Sequence, residues 1–216
     1  MPFMRRLTLV DSLFFLAHDE FTGKPALRRT GLGIGMAGSA LCDLLLAERI
    51  TVERKRIRPL SRRGLAHPAL DRVFSEIRGE RESHTVREWV DHLRHDLGEM
   101  VAGNLLAAGV VTRETERVLM RKIHRYPPRD LLMSTAARSK ARAAVLGTEQ
   151  PDPHSVCLAL LAWTVGLDDL CEPELDRAGL RTWAEATHRE LPRALADLIS
   201  GVDAVCAAIV YTGDRR

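Results

Sequence analysis

The sequence has no long hydrophobic run. Its most apolar stretch, near Ala194–Tyr211, is interrupted by Asp197 and Asp203, and a membrane-spanning helix needs about 20 mostly apolar residues, so the chain is not expected to cross a bilayer. Charge of one sign is not in excess either: 32 Lys and Arg against 29 Asp and Glu leave only +3. Cys42, Cys157, Cys171 and Cys206 stand apart among apolar neighbours, with no CxxC pair. That excludes a disulfide scaffold and points to buried free thiols in a reducing compartment. Repeats, low-complexity segments and a linker to a second domain are absent. The first ten residues lack the long apolar core and small-residue cleavage site of an export signal, so a cytoplasmic protein is expected. There is no G-x-S-x-G, and no cysteine in a polar, activating context. The chain is therefore expected not to be an enzyme and to need no cofactor.

At 216 residues, 45% apolar and 28% charged, the composition is that of one globular domain with a sizeable core. The bias of Arg over Lys, 28 to 4, reflects a GC-rich coding sequence and carries no functional meaning. Helical periodicity dominates. Leu7, Val10, Leu13, Phe14 and Ala17 share one face, and Met36–Ala47 is apolar all round and reads as a buried central helix. A helix with Leu70, Val73, Phe74 and Ile77 on one side follows His67-Pro68. Thr85-Val86-Arg87-Glu88 is a capping box opening another helix, and Met100–Ala107 follows. Later helices are expected over Asp130–Val145, His154–Leu167 and about Leu191–Tyr211. Ile50–Leu60 alternates β-branched residues with cations and reads as a short half-exposed strand or ribbon. Val110–Arg129 has few helix cues and is expected to form a β-hairpin or extended arm. The expected fold is mainly α: one domain with a helical core and one or two short β elements.

Four features invite a chemical reading. Gly33, Gly35 and Gly38 spell G-x-G-x-x-G, with Glu53 20 residues after Gly33, the spacing of a dinucleotide-binding fingerprint. That motif needs a buried apolar strand before it, and Lys24-Pro25-Ala26-Leu27-Arg28-Arg29-Thr30 cannot supply one. Small residues that let a buried helix approach its neighbours are the better reading. His92 and His95 are spaced i, i+3, as metal ligands can be, but no third ligand is evident and a solvated charged face is expected. Asp168, Asp169, Glu172 and Glu174 read as a solvated acidic loop. The most distinctive feature is basic clustering: Arg54, Lys55, Arg56, Arg58, Arg62 and Arg63 in one group, then Arg121, Lys122, His124, Arg125 and Arg129 interleaved with Ile123 and Tyr126, then Arg138, Lys140 and Arg142. Such clusters suit a polyanion, either nucleic acid or an anionic membrane. The apolar and aromatic residues of the second group favour a membrane interface. The ribbon at 50–63 leaves a nucleic-acid-binding regulator as the alternative.

Taken in order, several runs resemble the Golgi phosphoprotein 3-like family. They are Leu7-Thr-Leu-Val-Asp-Ser-Leu-Phe-Phe-Leu-Ala with Asp19-Glu-Phe-Thr-Gly23-Lys, and Gly38-Ser-Ala-Leu-Cys-Asp43-Leu-Leu-Leu-Ala-Glu-Arg49-Ile. Trp89-Val, Asn104-Leu-Leu-Ala-Ala-Gly109-Val-Val with its following arm, and Asp152-Pro-His154 before an apolar helix complete the series. The resemblance spans Leu7 to Tyr211, and the whole chain, 1–216, is expected to be one such domain with its core at about 7–211. It implies a helical core ringed by amphipathic helices, a protruding β-hairpin that contributes to self-association and hence a homo-oligomer, and a non-enzymatic protein peripheral on the inner face of the membrane. It further implies binding of anionic lipid headgroups, phosphatidylinositol 4-phosphate in eukaryotic members, and a role as adaptor for client membrane proteins. The positions of that family's headgroup pocket align with Arg28, Ala37, His95 and Gly98. Arg28 stands where the family has Trp, and Arg29 and Arg94 lie one residue from aligned positions. The expected headgroup residues are thus Arg28, Arg29, Arg94 and His95, without fixing which anionic lipid is bound. The expected membrane-contacting hairpin residues are Arg121, Lys122, Ile123, Arg125, Tyr126 and Arg129. Nucleic acid is not an expected partner.

Overall fold

The structure, a computed structural model, describes residues 7–118, 121–150, 152–171 and 174–213. Among these are nine helices and two antiparallel hairpins: α1 (Leu9–Leu16), α2 (Arg29–Leu46), β1 (Ile50–Glu53), β2 (Arg56–Pro59), α3 (Pro68–Gly79), α4 (Val86–Leu93), α5 (Leu97–Ala107), β3 (Glu114–Val118), β4 (Arg121–Arg125), α6 (Leu131–Leu146), α7 (Pro153–Thr164), α8 (Arg177–Glu190) and α9 (Arg193–Gly213). The fold is mainly α, as the periodicity predicts.

Every residue of α1 is buried, so its orphan N-terminal N–H groups must be satisfied inside the protein. The Thr8 hydroxyl accepts from Asp11 N, and Asp43, projecting from α2, accepts from Leu9 N and Val10 N at 2.9 Å each. His154 Nε2 reaches the same carboxylate at 3.1 Å from the first turn of α7. Asp152 caps α7 through His154 N (2.9 Å) and Ser155 N (3.1 Å). Asp43 and the Asp152-Pro-His154 run thus form one polar knot that ties α1, α2 and α7, with negative charge placed at the positive end of α1. A second buried polar link runs from α1 to the start of α3. His67 Nδ1 accepts from Leu70 N, so Nε2–H donates to Asp11 Oδ1 at 3.2 Å.

The central helix is α2, which packs against α1, α3, α4, α5, α7 and α9. It begins at Arg29, so the glycine string lies inside the helix rather than leading into it. A Cβ at Gly33 would stand 2.0 Å from the Arg94 carbonyl oxygen, and one at Gly38 would meet Val202 and Leu161 at 2.9–3.0 Å. The glycines are there for close helix approach, and the strand–turn–helix context of a dinucleotide site is replaced by continuous helix.

The basic ribbon is a two-stranded hairpin. Ile50, Val52 and Ile57 point inward, while Arg56 and Arg58 point out. Arg54 and Lys55 form its two-residue turn, both at positive φ (51° and 63°), the twist that matches a tight hairpin. Thr85 and Glu88 make the capping box of α4. Besides the start of α2 at Arg29 rather than Met36, two features differ from the sequence expectation. Helix α5 starts at Leu97, three residues early. Helix α8, capped by Asp176, was not anticipated; it buries only Leu180 and Ala184, too narrow an apolar stripe to announce itself by period.

Candidate functional site

Gly33 brings the first turn of α2 onto the corner between α4 and α5. Around that contact lies a narrow cleft of about 40 Å³, walled by Arg29, Arg94, His95, Gly98, Glu99 and Tyr126. Two helix N-termini meet here. The N-cap of α2 is Arg28 and that of α5 is Asp96, and neither side chain caps its helix. First-turn N–H groups left without side-chain partners, together with the helix dipole, favour an anion at such an end. Arg29 and His95 are exposed. Arg94 is held by Asp91, with Nε donating to Oδ1 at 2.8 Å. The cleft is roughly the volume of one water molecule, so an anion larger than that would rest at its mouth against these side chains.

The structure therefore brings Arg29, Arg94 and His95 together, with Gly98 beside them. Arg28 is exposed at the N-cap of α2 and is not part of the cleft wall. Ala37 is wholly buried and cannot touch a ligand. His92 parts from His95: α4 ends at Leu93, His92 Nε2 pairs with Glu76 at 3.1 Å, and His95 turns to the cleft. Among the described residues no three His, Cys, Asp or Glu side chains group to hold a metal ion.

The second hairpin packs on itself and hardly on any other element, so it projects as an arm. Its base is closed by a bridge between Val111 and Pro128 and by Thr112 N donating to Pro127 O at 2.9 Å. The register pairs Glu114 with Arg125, Thr115 with His124, Glu116 with Ile123 and Arg117 with Lys122. Alternation then splits the arm into two faces. Glu114, Glu116, Ile123 and Arg125 share one; Thr115, Arg117, Lys122 and His124 share the other, which carries no acid. Arg125 is ion-paired with Glu116, so its charge is answered within the arm. Arg117 and Lys122 are like charges directly opposite one another, an arrangement that is destabilising in isolation. The side chain of Arg121 and residues Leu119 and Met120 lie outside the described part of the structure.

Tyr126 requires a correction. It is 6% exposed, edge-on to Phe14 (5.6 Å) and His18 (5.8 Å), so it belongs to the core and the cleft wall and cannot serve as a membrane anchor on the arm. Burial, together with the charge of the neighbouring Glu99 carboxylate, pushes the phenol's pKa up. Arg129 is exposed beyond the ladder, its N–H donating to Val110 O at 3.0 Å. Gly33, Glu99 and Tyr126 were not legible as parts of the cleft. Only the small-residue spacing around Gly33 carried a signal, and it spoke of packing.

A model of the Golgi phosphoprotein 3 (GPP34) family matches residues 9–202. The chain belongs to the Golgi phosphoprotein 3 family. The match begins with α1 and ends within α9, so it takes in the Asp43 knot, the cleft and the projecting arm. No described helix is long and apolar enough to cross a membrane.

Proposed function

We propose that this Golgi phosphoprotein 3 family member is a non-enzymatic, peripheral membrane protein that docks on anionic lipid headgroups. The observation that carries the reading is the meeting of two side-chain-uncapped helix N-termini with Arg29, Arg94 and His95 at one cleft. A phosphomonoester headgroup such as that of phosphatidylinositol 4-phosphate, which the family resemblance implies, supplies the concentrated negative charge that such a site favours. The acid-free face of the arm, with Arg117 and Lys122 side by side, supplies a second, less selective attraction to an anionic leaflet.

The nucleic-acid alternative is weakened by the surroundings of the first basic ribbon. Arg56 bonds the Ser83 carbonyl, Ile57 N and Lys55 O bond the segment at His84–Val86, and Glu53, Glu80, Glu82 and Glu88 stand on or near the same surface. An adaptor role for client membrane proteins, and self-association through the arm, accompany the membrane reading as further expectations of the family.

The test is vesicle co-sedimentation of Arg29→Glu and Arg94→Glu against the parent chain, with soluble inositol phosphate and inorganic phosphate as competitors. The proposal predicts that either reversal weakens binding to phosphoinositide vesicles at least tenfold. Inositol phosphate should compete at lower concentration than inorganic phosphate. Equal binding by the variants and the parent would place the headgroup elsewhere.

A further inference from the structure

Four large apolar side chains stand exposed among the described residues, and three of them stand on segments joined through Tyr126–Asp130: Phe21 (63%), Leu131 (44%) and Leu132 (71%). We infer that the Phe21 ring and the Leu131–Leu132 pair are separate apolar tips that enter the outermost acyl layer of the bilayer while the cleft engages a headgroup. The inference rests on the membrane-docking reading above and deepens it by naming the residues that leave water.

Phe21 is displayed by an ordered turn. Asp19 Oδ1 accepts from Phe21 N (3.2 Å), Thr22 N (2.7 Å) and Thr22 Oγ1 (2.8 Å), Gly23 N donates to Asp19 O, and Asp19 N donates to Lys24 O. With the backbone so tied, the phenyl ring at the tip has no route to the core. The turn is also fixed in place. Tyr126 N donates to Gly23 O at 2.9 Å, and a Cβ at Gly23 would overlap the Tyr126–Pro127 peptide. That peptide leads directly to Asp130, which caps α6 through Leu132 N (2.9 Å). The first two residues of α6 are the exposed leucines, and Arg138, further along the same helix, is near enough for its charge to act on Asp19. Phe21 and the leucine pair therefore flank the Tyr126–Asp130 segment, and Tyr126 is itself a wall of the cleft.

The occupant is argued from what surrounds the apolar residues. Lys24, Arg28, Arg29 and Arg129 are exposed on the same turn, the start of α2 and the approach to α6. The carboxylates of Asp19 and Asp130 are bound to backbone N–H groups. Isolated bulky apolar tips set among cations are the pattern of an interfacial membrane contact: the tips enter the acyl boundary and the cations meet lipid phosphates. A protein partner would instead call for a continuous apolar patch with a polar rim.

The test uses vesicles of phosphatidylcholine with a minor share of anionic phospholipid, some brominated in the upper acyl chain. Phe21→Trp is read against the parent's own three tryptophans. The inference predicts a blue shift and bromine quenching of the added tryptophan on binding. Phe21→Ala and the double change Leu131→Ser with Leu132→Ser should each weaken binding about tenfold, the cost of withholding an inserted bulky side chain, with the helical circular dichroism spectrum unchanged. Binding that leaves the added tryptophan unshifted and unquenched overturns the inference while the docking reading stands. No binding by the parent chain to any anionic vesicle overturns both. If Phe21→Ala instead abolishes a parent dimer seen by sedimentation without vesicles, the tips meet a second copy of the chain and the inference fails.

Discussion

Acidification should destabilise this protein through one buried imidazole. His18 is 4% exposed; its ring stacks on Phe14 at 4.2 Å, and its Nδ1–H donates to the Phe14 carbonyl at 2.6 Å. Nε2 is buried and has no partner among the described residues. Protonation would place an N–H with full positive charge where nothing accepts it, so burial lowers the pKa from 6.5 to about 4, the bond to Phe14 offsetting only part of the loss. Below pH 6.5 the unfolded chain takes up this proton and the native protein does not, so stability falls with pH across the interval from 6.5 down to about 4. The difference in proton affinity is roughly 300-fold, or about 3 kcal/mol, when the interval has been crossed. That is a large share of the roughly 5–15 kcal/mol by which domains are stable. Urea unfolding at a series of pH values, followed by circular dichroism, measures it. His18→Phe keeps an aromatic ring in the slot and removes the titration. The variant's stability should therefore decline less than the parent's between pH 7 and pH 4.5, by about 2 to 3 kcal/mol. Parallel curves for the two proteins would refute the reasoning, because every other titrating group is common to both.

Other perturbations follow from the same geometry. Gly33→Ala puts a methyl 2.0 Å from a backbone oxygen, so it should cost at least about 1–3 kcal/mol in thermal unfolding and weaken vesicle binding by opening the cleft corner. Gly31→Ala, whose nearest neighbours are 3.9 Å away, should be neutral or stabilise by up to about 1 kcal/mol through helix propensity. Asp43→Asn keeps the shape of the knot but removes its charge from the start of α1, and should lower stability by about 1–3 kcal/mol in denaturant titrations. Reversing Arg117 and Lys122 to Glu withdraws two cations worth about 1 kcal/mol each at an anionic leaflet. It should reduce affinity for acidic vesicles by at least about 30-fold at low salt, and less as salt is added.

The helical frame was legible because its signals are local. The Thr85–Glu88 capping box and the apolar stripes of α1 and α3 state their own structure, and the cationic approach to the glycine string speaks against the strand that a dinucleotide site needs. The starts of α2 and α5 were misplaced because Gly33 and Gly98 serve tertiary contacts that carry no helix propensity. The narrow stripe of α8 left no period to read. At the candidate site, the sequence marked the cations near the two helix starts but not their convergence, which depends on Gly33 meeting the Arg94 carbonyl across 61 residues. Tyr126 was misread because it follows a run of charges. Its burial against Phe14 and His18 is a long-range contact that local composition does not encode. The exposure of the Phe21 ring is likewise not written in local composition: it follows from the turn that the Asp19 hydrogen bonds hold in place.

The most direct test of the account is the partition of the parent protein between buffer and vesicles as the anionic share of the lipid is raised. It should be measured with phosphatidylcholine alone, with added phosphatidylserine and with added phosphatidylinositol 4-phosphate, each at low and high salt. The account predicts negligible binding to phosphatidylcholine, binding that rises with anionic lipid, and a salt-dependent part carried by the arm. It further predicts the strongest retention on the phosphoinositide, where the cleft and the two helix N-termini act together. Equal binding to neutral and anionic vesicles, or none to either, would contradict it.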